Sequence, residues 1–468
     1  MKEMIIQAVD IGTTKIAAIV ARKTPNNKLE ILGIGTAPSL GVKRANVSNI
    51  MKASLAVKKA VEEAEKQSGI KFTEVYVGVA GSHIKSMQHR AVLVRDSYEE
   101  MISEKDIKKL HDDMFKLALP PGDSIIEVLA QEYKVDKESG IIDPIGMPGS
   151  SVEGIFHVIT GSTAAINNIK RCIEDAGLKV KEVIMQPLAS AAAVLSEEEK
   201  RAGIALVDIG GGTTDIAIFV DGAIAHTAVI PLGGEIITED IKTVCRVLKE
   251  HAEKLKVLHG SAYPDSKDNE KIISIPGVAG RAPREISAVN LTGIIQARME
   301  DILEYVVQEL ELSGMLDKLM GIVLTGGGSK LNHIIQLTEY FTLLETRLGL
   351  PNEHLAPTKV KDVDNPSYAT GIGLIINALN RYSSEQTVEE TDDKSVEKPT
   401  FVEKEEIPVL KNAVDLKVEE AQPEKKPIVE SETEKKKSKA GTLFGKFLTR
   451  FNDWVEEDLE DFKEGSKK

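Results

Sequence analysis

One short device occurs twice in this chain, and the repeat constrains the fold more than any other feature. Residues 203–220 read GIALVDIGGGTTDIAIFV, and residues 5–20 read IIQAVDIGTTKIAAIV. In each, two short β-branched apolar runs flank an acid, glycine and a pair of threonines, so each reads as strand–turn–strand. Glycines in such a turn permit positive φ and let a backbone come close to a ligand. Successive backbone N–H groups there form an anion-binding concavity, to which threonine hydroxyls add donors. Asp10 and Asp208 are the opposite of what a bare phosphate wants. They make sense if a hard cation such as Mg²⁺, held through oxygens and water, stands between phosphate and carboxylate. An ordinary tight hairpin could use Asp and Thr for turn geometry alone, and Asp215 could simply hold its turn. The second copy turns one weak signal into an internal duplication with two phosphate-facing hairpins.

With 468 residues the chain has room for two or more domains. A net charge of −14 argues against a general nucleic-acid binder, so no nucleic-acid partner is expected. Cys172 and Cys245 are the only cysteines, without metal-ligand spacing, and are read as buried inert thiols. Met1 to Val20 does not read as a signal peptide, and no apolar run approaches the ~18 residues of a spanning helix.

The chain in order gives β-β-β-α-β through residue 82, the start of an α/β domain. Residues 83–157 change texture: an exposed strand near His89 to Arg95, a helix capped by Ser103 with Asp106 three positions on, then a strand from Ile125 to Val135. This reads as a small α+β insert. The first domain is expected to resume at about Gly154 to Gly161 and to occupy 1–82 and 158–202, ending in the small-residue helix after Gln186 and Pro187. The second domain, 203–382, carries a helix after Gly233 and Gly234, an irregular polar stretch from Lys254 to Arg284, and a long helix from Ser287. It then has the strand–GGG–helix unit at Gly326, Gly327 and Gly328, and a closing helix over Pro366 to Leu379; residues 235–315 form its subdomain. Residues 383–440 are Glu-, Lys-, Pro- and Thr-rich and read as an acidic, disordered linker.

Residues 441–464 carry an apolar stripe at Phe444, Phe447, Leu448, Phe451 and Trp454. An island after such a linker has no core of its own to join, so it reads as an amphipathic helix lying in a membrane interface. The lysines before it add about 1 kcal/mol each near an anionic surface. Its acidic second half, from Asp453 on, limits firm insertion to Gly441 through Val455. A groove on a partner is the other reading.

The paired DIGTTK and DIGGGTTD hairpins, the linking helix and LTGGGS resemble the actin, heat-shock-70 and sugar-kinase superfamily. EVYVGVAGSHI, QPLASAAAVLSEEEKRAGIALVDIGGGTTDIAIF, IPLGGEIITEDI, GRAPREIS and IVLTGGGSKL resemble, within it, the bacterial FtsA family of actin-like cell-division proteins. The resemblance covers about Met1 to Arg381 plus the tail. It implies an α/β fold of two ribonuclease-H-like domains around a cleft that binds ATP and Mg²⁺. Gly12, Thr13, Thr14 and Lys15 would contact the phosphates from one side, and Gly210, Gly211, Gly212, Thr213 and Thr214 from the other. Asp10 and Asp208 would hold the hydrated metal, and Gln186 would position water. Gly234, Glu235 and Lys242 would flank the nucleoside opposite Gly326 to Gly328. The resemblance further implies an FtsZ-tail site at Arg281, Arg284, Asn290, Gln296 and Arg298, self-assembly into filaments, and later division partners on the insert. The location implied is the cytoplasmic face of the membrane at the septum, with at most slow ATPase activity. A sugar or small-acid kinase would share both hairpins but calls for a catalytic Asp in a substrate pocket. A heat-shock-70 chaperone calls for a β-rich domain after Leu379, and an MreB-like filament would lack the long linker.

Overall fold

The computed structural model describes residues 4–392 apart from 27, 96, 97, 99, 265–270 and 276–281, with 382–392 described at the backbone. Arg281, the terminal stripe at Phe444, Phe447, Leu448, Phe451 and Trp454, and the linker beyond Asp392 lie outside the described residues.

The first sheet grows from a meander of β1 (Ile5–Ile11), β2 (Lys15–Lys23) and β3 (Leu29–Pro38). A two-strand ribbon follows, β4 (Val42–Lys43) with β5 (Asn46–Val47), then α1 (Ile50–Ser68) and β6 (Glu74–Val79). Asn49 caps α1 by accepting from the Lys52 N–H, and Gly69 ends it in the left-handed conformation.

Next comes the insert: β7 (Lys85–Val94), α2 (Glu104–Met114), β8 (Asp123–Val135), β9 (Glu138–Ile141) and β10 (Ser151–Ser162). Ser103 and Asp106 make the expected capping box on α2. The four strands form their own antiparallel sheet in the order β7-β10-β8-β9, around Leu110, Met114, Val152 and Phe156. Gly154 to Gly161, expected to resume the first domain, therefore belongs to the insert. Its residues pair with β7 on one side and β8 on the other along their length.

The first sheet is completed by α3 (Thr163–Asp175) and β11 (Lys179–Met185), followed by α4 (Gln186–Val194) and α5 (Glu197–Ala202). Its order is β11-β6-β1-β2-β3.

The second half repeats the scheme. It contains β12 (Ile204–Ile209), β13 (Thr214–Val220), β14 (Ala223–Ile230), α6 (Gly234–Cys245), α7 (Lys249–His259), β15 (Ile272–Ile275), β16 (Arg284–Ser287) and α8 (Ala288–Leu312). After these come β17 (Gly321–Thr325), α9 (Ile334–Thr342), β18 (Glu345–Leu348) and α10 (Ala369–Asp392). The order β14-β13-β12-β17-β18 mirrors the first sheet strand for strand. In both, the hairpin pairs are antiparallel and the two outer additions parallel. Helix α7 was not expected: Arg246 breaks the preceding helix at φ 51, a left-handed position without the glycine that normally announces it.

Four apolar cores hold this together. One joins the second sheet to α6, α7, α8 and α9, another joins the first sheet to α1 and α3, and the insert has its own. The fourth lies between the sheets: Ile19 and Ala8 of the first and Leu206 and Phe219 of the second meet α4 and α10 through Ala189, Ile372 and Ile375. Helix α10 thus does not close the second domain, as expected of the helix over Pro366 to Leu379. It crosses back and packs against α4, β1, β2 and β6. It also runs on to Asp392, into the stretch assigned to the linker. No glycine or proline occurs between Gly373 and Asp392 to stop it. Among the described residues no helix is long and apolar enough to cross a membrane.

Candidate functional site

The two hairpins end in the same turn. Gly12 N–H donates to the Lys15 carbonyl at 3.0 Å, and Gly210 N–H to the Thr213 carbonyl at 2.9 Å. Strand pairing reaches Ile11–Ile16 in one and Ile209–Thr214 in the other. Position by position, Asp10 matches Asp208, Lys15 matches Thr213, and Ala17 matches Asp215.

The tips face each other directly. A Cβ on Gly211 would lie 2.5 Å from Thr14 Cγ2, and one on Gly212 would run into Thr13 Oγ1. The hairpin glycines were expected to supply positive φ, yet none of Gly12, Gly210, Gly211 and Gly212 has it. Gly211 and Gly212 are required for the close approach of the tips, and Gly12 and Gly210 for the tightness of their own turns. Thr13 Oγ1 also accepts from the Ala45 N–H at 2.9 Å, tying its turn to the β4–β5 ribbon. Thr214 donates its hydroxyl to the Leu232 carbonyl at 2.9 Å, so it braces the turn end of the hairpin against the segment after β14.

Beneath the tips lie three buried carboxylates. Asp10 Oδ1 accepts from Gln186 Nε2 at 3.1 Å. Asp208 Oδ2 accepts from Ser190 Oγ at 2.6 Å and from Thr370 Oγ1 at 3.2 Å. Asp215 sits directly across from Asp208, and its Oδ1 is buried without a hydrogen-bond partner among the described residues. Burial pushes the Asp10 carboxyl up to about 6, with Lys15 opposing and Asp208 adding to the shift. Burial raises Asp208 as well, against the hydroxyls of Ser190 and Thr370. Asp215 is pushed well above the carboxylate range by burial and then by Asp208 and Asp10. Lys15 is drawn down to about 8 by burial, although Asp10 favours its charged form.

Three desolvated acids, two of them within reach of Lys15, form a site that a cation would relieve. Among the described residues no three His, Cys, Asp or Glu side chains converge as direct metal ligands. A hard cation would be held here by Asp10 and Asp208 together with oxygens from outside the chain.

The third glycine loop rests on the second hairpin. Gly326 has φ 83, and a Cβ there would run into Asp208 Oδ1; one on Gly328 would run into Ile209. Gly327 is the open member, with only Ser367 Cβ at 4.0 Å. The start of α6 is tied to the same hairpin: Gly234 and Glu235 donate their N–H groups to the carbonyls of Gly210 and Gly211 at 2.9 and 2.7 Å. The Glu235 side chain is ion-paired with Lys249, and Lys242 with Glu239 at 2.7 Å.

Of the partner-site residues, Arg298 forks onto Asp240 at 2.6 and 3.2 Å and reaches Asp301. Arg284 donates to the Cys245 carbonyl at 2.9 Å, and Gln296 to Glu300 at 2.8 Å. Asn290 lies in the first turn of α8, its N–H donating to Ser287 Oγ at 3.2 Å. Cys172 is buried, as expected, with its thiol pushed up to about 12 by burial, whereas Cys245, also expected to be buried, is half-buried with its thiol raised by burial.

Ser190, Ser367, Tyr368 and Thr370 went unnoticed in the sequence. Ser190 comes from α4, Ser367 and Tyr368 from the Pro366–Tyr368 turn, and Thr370 from the first turn of α10, where the sequence signal was a run of mostly small residues.

Known proteins resemble most of the chain. The family model described as "Cell division protein FtsA" matches residues 205–373, and the one described as "SHS2 domain inserted in FTSA" matches residues 81–160. The cell division protein FtsA of Pseudomonas aeruginosa is 39% identical over 380 residues, covering 81% of this chain and 90% of that one. Those of Bacillus subtilis and Escherichia coli are 34% and 32% identical, each covering 79% of this chain and 82% and 89% of theirs. The solved PilM-PilN type IV pilus biogenesis complex shares the fold, with a TM-score of 0.57 at 14% identity over 80% of this chain and 98% of that one. Two sheets of one topology around facing hairpins make the fold actin-like α/β. On these identities and coverages, the chain belongs to the FtsA family of cell division proteins.

Proposed function

We propose that the cleft binds ATP with Mg²⁺, and that the protein assembles on the cytoplasmic face of the membrane at the septum and anchors the FtsZ ring there. The observation that carries this reading is the apposition of two identical turns, Gly211 against Thr14 and Gly212 against Thr13, above Asp10 and Asp208. When bound, the metal–nucleotide supplies the positive charge that the buried acids lack and the phosphoanhydride bond to be broken. Gly12 to Lys15 grip phosphate oxygens from one side and Gly210 to Thr214 from the other. Asp10 and Asp208 hold the hydrated cation. Gly234, Glu235 and Lys242 flank the nucleoside on one side, and Gly326, Gly327 and Gly328 on the other.

Since the tips touch, they must part to admit a phosphate chain, and ligand in the cleft then sets how far the domains close. Gln186 orients water while its amide stays on Asp10, but an amide is a poor proton acceptor, so hydrolysis is slow. Arg281, Arg284, Asn290, Gln296 and Arg298 take the acidic–apolar FtsZ tail, and the insert receives later division proteins. Phe444, Phe447, Leu448, Phe451 and Trp454 seat the terminal helix in an anionic membrane surface.

The test is co-sedimentation of purified FtsZ with anionic vesicles, with and without ATP, using the full chain and a chain lacking residues 441–468. FtsZ should pellet only with the full chain. Equal pelleting by the shortened chain would overturn the tether, and absence of FtsZ from the pellet in every condition would overturn the anchoring role.

A further inference from the structure

Lys15 is held in place by residues that start 352 positions further along the chain. Its Nζ donates to the Ser367 carbonyl at 2.9 Å and to Ser367 Oγ at 3.1 Å, and lies 3.8 Å from the centroid of the Tyr368 ring. The seat itself is stiff. Pro366 starts the turn, the Asn365 side chain accepts from the Ser367 N–H at 3.1 Å, and the Tyr368 N–H donates to the Asn365 carbonyl at 2.9 Å. Two residues on, Thr370 donates to Asp208 of the other hairpin.

An ammonium has three N–H groups. Ser367 takes two, the aromatic face answers the charge without consuming a proton, and the third N–H has no partner among the described residues. We propose that Ser367 and Tyr368 are positioning residues for Lys15, seating its ammonium so that the remaining N–H meets a phosphate oxygen and thereby setting the cleft's preference for a phosphate chain over a bare nucleoside. This rests on the nucleotide reading of the cleft.

Several features support it. A long, flexible lysine pinned in one place loses less freedom on meeting its ligand than one that must be ordered at that moment. Burial of Lys15 disfavours its charge, which makes the oxygens and ring that surround it consequential. The matching position of the second hairpin is Thr213, so this cationic contact is particular to one side of the cleft.

The full-length chain and its variants would be titrated with ATP and with adenosine by calorimetry. Tyr368→Leu should weaken ATP about tenfold and leave adenosine unchanged, whereas Tyr368→Phe should stay within about twofold of the parent. Ser367→Ala, which removes one hydrogen bond with little change in packing, should lose about threefold for ATP. In a Lys15→Ala background neither substitution should have any further effect. Equal losses for ATP and adenosine, a loss that persists without Lys15, or no loss in either variant would overturn the proposal while leaving the cleft assignment standing. Failure of the parent chain to bind ATP would overturn the cleft assignment, and this proposal with it.

Discussion

The three acids under the hairpin tips are placed where a carboxylate is least comfortable. Asp10 titrates near 6 in the folded chain against 3.8 as its ordinary value. Between those values the folded chain keeps a proton that the unfolded chain has lost, so its contribution to stability falls as pH rises through that window. Above pH 6 the charged Asp10 costs about 1–3 kcal/mol. Asp10→Asn should therefore be more stable than the parent at pH 7, equal to it near pH 4, and unable to hold a cation. Urea melts at the two pH values with a Mg²⁺-ATP titration would check all three outcomes, and a variant less stable at pH 7 would refute the argument. Asp10 and Asp208 were legible in the sequence because the repeated hairpin fixes their register. Asp215 was not: it could be taken for a turn residue, and only strand pairing sets it opposite Asp208. Ser190, Ser367, Tyr368 and Thr370 could not be read either, since nothing local tells a small-residue helix which carboxylate or ammonium it will meet.

Helix α10 shows what pattern reading recovers and what it loses. Its small residues were visible and suggested close helix contact, but chain order assigned it to the second domain. The fold instead carries it to α4. At the crossing, a Cβ on Gly373 would run into the backbone carbonyl of Ala189. Replacing Gly373 with alanine would gain about 1 kcal/mol of helix propensity. The overlap is with main chain, which cannot rotate away, and overpacking of this kind costs about 1–3 kcal/mol or more. Overlap should win, so Gly373→Ala should lower the melting temperature. Gly371→Ala, which meets the flexible end of Ile19, should change it less. Equal effects of the two would show that backbone contact is not what excludes a side chain at Gly373. Pairing the two sheets by their hairpins was possible from sequence because each apolar run–turn–apolar run is written locally and occurs twice. The crossover of α10 is written only in the shared core.

At the scale of the molecule, the duplication and the insert were both legible, while the contact between the insert and the second sheet was not. It is polar. Ser86 donates to the Thr227 carbonyl at 3.2 Å, Gln131 to the Ile224 carbonyl at 2.7 Å, and His157 lies 3.3 Å from Thr227 Oγ1. Burial, with some repulsion from His226, draws the His157 imidazole down to about 4. As pH falls below 6.5 the unfolded chain takes up a proton that the folded chain refuses until about 4, so stability is lost across that window. The full effect is up to about 3 kcal/mol. His157→Gln should flatten the fall in unfolding free energy between pH 6.5 and 4, and an unchanged slope in urea melts would place the acid sensitivity elsewhere.

Arg381 reinforces the same side, pairing with Glu127 of the insert at 2.7 Å and with Glu182 of the first sheet. It lies on α10, whose 24 residues form a rod about 36 Å long. One end of that rod sits at Lys15 and Asp208, and the other hands the chain on toward its carboxy terminus. Tension applied to the outgoing chain runs along the rod toward the joint where both hairpins are gripped. Load on the outgoing chain would meet the Arg381 pairs and the α4 packing first, so those contacts stand between a pull on the tail and the side chains that grip the cleft.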